Sequence, residues 1–133
     1  MASVRNDITI DAPADAVWAA LADFQAVHRR VAPGFLTDST PDGEGVRVVT
    51  FSNGTSARET LIALDAERRR LAYAIIGGRA AHYNASVRVI PEDADRCRVE
   101  WIIDLMPDAL ADYVRGQTRL AVTDMARTLG RVS

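Results

Sequence analysis

Polar and apolar residues alternate from the start of the chain. Over 3–11, Val4, Asn6, Ile8 and Ile10 alternate with Arg5, Asp7, Thr9 and Asp11, the period-two pattern of a strand with one buried face. Asp11-Ala12-Pro13 then opens a helix. Proline loses nothing in a first turn, where its missing N–H has no partner anyway, and acidic residues suit the positive end of the helix dipole. Val17, Trp18, Leu21 and Phe24 follow at helical spacing, a second short helix is expected over 25–31, and Pro33-Gly34 stops it. Residues 35–45 carry Pro41, Gly43 and Gly45 among polar side chains and read as a loop or weak edge strand. Strands are expected over 46–51, 56–64, 71–76, 83–90 and 97–105. Between them lie the turn Ser52-Asn53-Gly54, a charged turn over 65–70, the pair Gly77-Gly78 and a charged turn over 91–96. Pro107 begins the longest helix, to about Arg131, with Asp108 and Asp112 near its start. Leu110, Val114, Gln117, Ala121 and Met125, with Tyr113 and Leu120 beside them, form one face of it.

The order of strand, two short helices, several strands and a long helix predicts an α+β domain, one antiparallel sheet packed on a C-terminal helix. With 133 residues and no repeat or linker, a single domain is expected over 1–133. No apolar run is long enough to span a membrane. The opening MASVRNDITID has no basic segment followed by an apolar block, so no signal peptide is expected and the cytoplasm is the expected compartment. A net charge of −2 argues against nucleic acid as a partner. All sixteen basic residues are Arg, which excludes Schiff-base and lysine-dependent phosphate chemistry. That bias, with abundant Ala and Asp, fits codon usage in a GC-rich bacterium. Cys97 stands alone and His28 and His82 are far apart, so neither a disulfide nor a metal site is expected, and no cofactor is implied.

The chemistry concentrates in the middle of the chain. Glu59 sits in a strand whose same-face neighbours Leu61 and Ala63 are apolar, and a charge there is costly unless it is paired or reaches water in a cavity. Arg47, one strand earlier, is the candidate partner. Either the two charges merely satisfy each other, or Glu59 lines a cavity.

Several segments then carry a resemblance: ITIDAPADAVWAALADF, GVRVVTFSNG, RETLIALDAERRRLAYAIIGG, HYNASVRV and VEWIIDLMP before the last helix. In order and spacing the chain resembles the helix-grip superfamily, which includes the birch pollen allergen, START lipid-transfer domains, bacterial polyketide cyclase/dehydrase-like proteins and the plant abscisic acid receptors. The resemblance implies a helix-grip fold, a curved sheet wrapped around the C-terminal helix with a ligand cavity between them. The middle is similar to the abscisic acid receptors, with Ser52-Asn53-Gly54-Thr55 in place of their gate loop and residues 78–82 in place of their latch. The chain lacks the gate proline, the latch His-Arg-Leu and any pocket lysine, so only the pocket architecture is carried over and hormone sensing is not.

In that register Arg47, Val49, Phe51, Ala57, Glu59, Leu61, Tyr73, Ile75, Tyr83, Ala85 and Val87 face inward. Glu100 and Ile102 are expected to do the same, although Val99, Trp101, Ile103 and Leu105 form the more apolar set on that strand. With Glu100 inside, Trp101 would lie on the outer face and suggest a homodimer contact. The candidate ligand-binding residues are therefore Arg47, Phe51, Glu59, Tyr73, Ile75, Tyr83, Glu100 and Gln117, while no catalytic residue is assigned. His82, in the latch-like segment, is a candidate for proton transfer, His28 reads as a solvated helix residue, and Arg68-Arg69-Arg70 as a solvated turn. Three readings stay open. One is a carrier of an apolar polyketide-, lipid- or isoprenoid-like molecule. Another is an aromatase/cyclase or dehydratase using the same cavity. The third is an interaction module with a collapsed interior and a binding outer face.

Overall fold

The computed structural model describes residues 2–130. Strand β1 (Ala2–Ile10) leads through Asp11-Ala12-Pro13 into α1 (Ala14–Ala22), followed by a 3-10 turn (Phe24–Ala26) and the single-turn α2 (Val27–Arg30). Six strands follow: β2 (Leu36–Pro41), β3 (Val46–Phe51), β4 (Ser56–Asp65), β5 (Arg70–Ile76), β6 (His82–Asp93) and β7 (Arg96–Met106). A 3-10 turn (Asp108–Leu110) then opens α3 (Ala111–Leu129). The expected end of that helix, Arg131, lies outside the described residues. The seven strands form one antiparallel curved sheet in the order β1-β7-β6-β5-β4-β3-β2, and α3 lies across its inner face against β1. This is the helix-grip arrangement expected from the sequence. Residues 36–41, a loop or edge strand by composition, are an edge strand.

Alternation along each strand decides what the inner face carries. On β1, Val4 and Ile10 are buried while Arg5, Asp7 and Thr9 are exposed. On β3, Arg47 and Val49 are buried, and on β6, Ala85, Val87 and Val89. Two features depart from the sequence reading. β6 continues through Pro91 to Asp93, where a register shift between Pro91 and Asp93 accommodates the residue that has no N–H to donate, so the turn is confined to 94–95. On β4 a shift between Leu61 and Ala63 breaks the alternation. Beyond it Leu64, not Ala63, stands opposite the inward Leu71.

β7 corrects the largest error. Val99, Ile103 and Leu105 are buried with Trp101 on the inner face, which puts Glu100 and Ile102 outside. Glu100 accepts hydrogen bonds from Arg5 (2.9 Å) and Arg98 (3.0 Å), and Arg98 also reaches Asp7 (2.9 Å). Hydrogen bonds and charge from these arginines hold the Asp7 carboxyl below its usual range. The apolar set wins because a strand exposes one face to the core, and burying Glu100 would have left four large apolar residues in water. An outer Trp101 stripe for a dimer therefore does not form. Leu120 also differs from expectation: it is 60% exposed, on the solvent side of α3.

The C-terminal half of α3 is fixed by Asp124, a buried carboxylate. It accepts hydrogen bonds from the backbone N–H groups of Gly34 (2.7 Å) and Phe35 (3.1 Å) and from Arg127 (3.1 Å). A Cβ on Gly34 would meet Asp124 Oδ1 at 2.9 Å, so the glycine is needed for this close approach. The helix is thereby tied to the segment before β2, and Phe35 is set into the interior. Replacing Asp124 by Ala should destabilise the fold by roughly 2–3 kcal/mol, since the hydrogen bonds that the Gly34 and Phe35 backbone donate to a buried charged group are lost. Urea unfolding measures this; a loss below about 0.5 kcal/mol would contradict the tether.

Candidate functional site

Between the sheet and α3 lies a cavity of about 170 Å³. Its floor is β3, β4 and β5, its far wall is Trp101 of β7, and its roof is α3 with Val114, Gln117, Thr118, Ala121 and Met125. Leu21, Val27 and Val31 of the short helices close one side with Phe35 and Phe51, whose rings meet edge-on at 5.4 Å between centroids. The interior is open, which overturns the reading of a collapsed interior with binding only on the outer face.

The polar part is built on three neighbouring strands. Arg47 and Glu59 are directly opposite on β3 and β4, and Glu59 is opposite Ile75 on β5. Arg47 Nε donates to Glu59 Oε1 at 2.8 Å, with both side chains at least nine-tenths buried (6% and 8% exposed). Arg47 Nη1 donates to the Phe24 carbonyl at 2.8 Å, and its guanidinium lies 3.7 Å above the Phe24 ring and 5.3 Å from that of Tyr73. The two readings of Glu59 are thus both correct: it is ion-paired and it lines the cavity.

Tyr73 and Tyr83 stand next to this pair. Burial pushes the Tyr73 phenol well above its usual range, with Glu59 adding to the rise; burial likewise raises Tyr83, helped by Tyr73 and Glu59. Both are neutral at any physiological pH. The buried Trp101 Nε1–H lies beside the Tyr73 phenol, where its hydrogen bonding offsets a small part of that rise. The cavity therefore presents phenol and indole donors beside one ion-paired carboxylate.

Of the sequence candidates, Arg47, Phe51, Glu59, Tyr73, Ile75, Tyr83 and Gln117 line this cavity, and Glu100 does not. Trp101 was assigned to the wrong face, although its parity with Val99 and Ile103 was the available signal. Phe35 had no signal, because it lies between elements. His82 is exposed outside the lining, and His28 is half-buried with a buried, unpartnered Nδ1 rather than solvated. In the charged turn, Arg69 adopts a positive φ of 50° and donates twice to Asp15 of α1 (2.9 and 2.7 Å). Among the described residues no cluster of metal-ligating side chains exists, and no helix is long and apolar enough to cross a membrane.

A family model described as polyketide cyclase / dehydrase and lipid transport matches residues 1–132. The MLP-like protein 423 of Arabidopsis thaliana is 27% identical over 101 residues, a match that covers 65% of this chain and 65% of that protein. The di-domain ARO/CYC BexL from the BE-7585A biosynthetic pathway superposes with a TM-score of 0.84 at 18% identity, over 97% of this chain and 46% of that one. Norcoclaurine synthase from Thalictrum flavum, in complex with dopamine and hydroxybenzaldehyde, gives 0.73 at 18% identity over 98% and 85%.

Two outcomes follow from the geometry. Glu59→Ala strands a buried guanidinium and should cost about 3–5 kcal/mol in urea unfolding, whereas the double change Arg47→Met with Glu59→Leu should cost far less; equal costs would refute the pairing. The raised phenols also set a pH window. Unfolded tyrosines ionise near 10.0 but Tyr73 and Tyr83 stay protonated in the fold, so stability holds below pH 10 and falls above it. The slope approaches about 1.4 kcal/mol per pH unit for each residue, and Tyr73→Phe with Tyr83→Phe should remove it.

Proposed function

The chain belongs to the polyketide cyclase / dehydrase and lipid transport family, and on that premise we propose that it binds an apolar small molecule in the cavity between sheet and α3. The observation that carries this is a mostly apolar space of about 170 Å³ in which Arg47 and Glu59 pair with each other and the Tyr83 hydroxyl has no hydrogen-bond partner among the described residues. Such a volume is close to the ~150 Å³ of an apolar protein cavity that takes up benzene and below the ~300 Å³ of drug-sized sites. The buried portion of the ligand is then about one ring, held by Phe35, Phe51 and Met125 and oriented by an oxygen facing Tyr83 and Tyr73. That norcoclaurine synthase is complexed with two single-ring aromatic compounds supports this size. Longer polyketide-, lipid- or isoprenoid-like molecules enter ring-first or end-first, with the rest outside the inner cavity.

A second reading is an aromatase/cyclase or dehydratase using the same space, supported by the BexL likeness and by two neutral phenols beside a carboxylate. There Tyr83 donates a proton to a developing enolate or leaving hydroxyl, and positioning in a water-poor site supplies much of the rate. Neither His82 nor Cys97 takes part, since neither lines the cavity.

Titration with p-cresol, a single-ring phenol, tests the first reading. Binding should be one-to-one, stabilise the fold by about 2.7 kcal/mol at a hundredfold excess over Kd, and weaken roughly fivefold in Tyr83→Phe. Absence of any thermal stabilisation by p-cresol or toluene would sink it. Turnover of a poly-β-keto substrate that drops about 100-fold or more in Tyr83→Phe would establish the second.

A further inference from the structure

The mouth of the cavity differs in charge from its interior. Inside, Arg47 and Glu59 cancel, so an ionised ligand group would find no net counter-charge there and would lose its hydration. Outside, a second hollow of about 270 Å³ lies between the loops after β3 and β5 and the start of α3. It shares Ile75, Tyr83, Tyr113 and Val114 with the inner cavity, so the two hollows adjoin across these side chains. Its lining holds two arginines and no carboxylate.

The two arginines are not equivalent. Arg58 is held by Asp42 in an exposed ion pair. Arg79 lies with its guanidinium 5.2 Å from the Tyr113 ring centroid and forms no ion pair among the described residues. Tyr113 is positioned in turn by Asn53, whose Nδ2 donates to its hydroxyl at 3.2 Å. The loops after β3 and β5 thus both meet Tyr113 at the entrance, and the positive charge brought there is unspent.

From this we propose that the preferred ligand is an acidic amphipath: an uncharged ring or apolar end in the inner cavity and a carboxylate, or another monoanion of similar size, at Arg79 in the mouth. The inference rests on the cavity reading above and adds the polarity of the ligand. A carboxylate on Arg79 stays partly hydrated, which keeps its desolvation small and the gain modest. It also leaves the ion-paired inner wall undisturbed, whereas an acid pointing inward would oppose Glu59.

The test compares 4-phenylbutanoate with 4-phenylbutan-1-ol, which share the ring and tether and differ in charge, by isothermal titration at neutral pH and low ionic strength. The acid should bind about fivefold more tightly than the alcohol, and the preference should shrink at high salt. Arg79→Gln should abolish the preference and leave the alcohol's affinity unchanged; Arg79→Lys should keep most of it. Equal affinities in the unmodified protein, or a preference that survives Arg79→Gln, overturn the proposal while alcohol binding upholds the cavity. If neither compound binds, the cavity reading itself fails and the proposal falls with it.

Discussion

The fold depends on a buried charge pair held by direct contacts within the protein. Removing a guanidinium and a carboxylate from water costs several kcal/mol for each ion, and only close contacts on every side offset that. Arg47 has them: Glu59 on the adjacent strand, the Phe24 carbonyl, and the faces of Phe24 and Tyr73. The first joins β3 to β4, the second joins both to the corner after α1, and Tyr73 adds β5. A single side chain thereby sets how three strands stand against the short helices. With the two charges paired at one wall, the rest of the space beside them is lined mostly by apolar side chains.

That space persists because α3 is held at its margins. Its C-terminal half is tied through Asp124 to the backbone at Gly34 and Phe35, and its contact with the sheet is at β1, the edge distant from β3 and β4. The roof over the cavity is made of half-buried or small residues, Val114, Gln117 and Ala121. A better-filled interior would be more stable, since voids forfeit dispersion contacts. Retaining the hollow while the helix is held by contacts outside it is the arrangement expected of a site rather than of a core.

The sheet was legible in the sequence because its strands alternate cleanly and its turns carry Gly, Pro and Asp. The charge pair was legible too, since an acid and a base each interrupted an apolar face on neighbouring strands. Two things were not. Glu100 was assigned inward by analogy of position, against the plainer signal that Val99, Trp101, Ile103 and Leu105 outweigh it; Arg5 and Arg98, which take its charge outside, are distant in sequence or on its own strand. Asp124 left no trace, because an acid on a long polar helix reads as solvated until the fold brings the Gly34 loop against it. Periodicity reports which face a residue occupies, and it is silent on which loop will come to cover that face.

The same distinction bears on what the site can do. Its interior holds charge only in cancelled form and its two phenols remain protonated, so recognition inside rests on shape and on hydrogen bonds to neutral oxygen. Under the proposed function, a carbonyl placed beside Tyr73, Tyr83 and the Trp101 N–H would be both bound and polarised. Binding and catalysis then differ only in whether the ligand carries an acidic C–H or a leaving hydroxyl at that point, because donors that orient a ground-state oxygen also stabilise the charge that develops on it. Under either proposed reading the wall is the same, and the reactivity of the ligand would decide between carrier and cyclase.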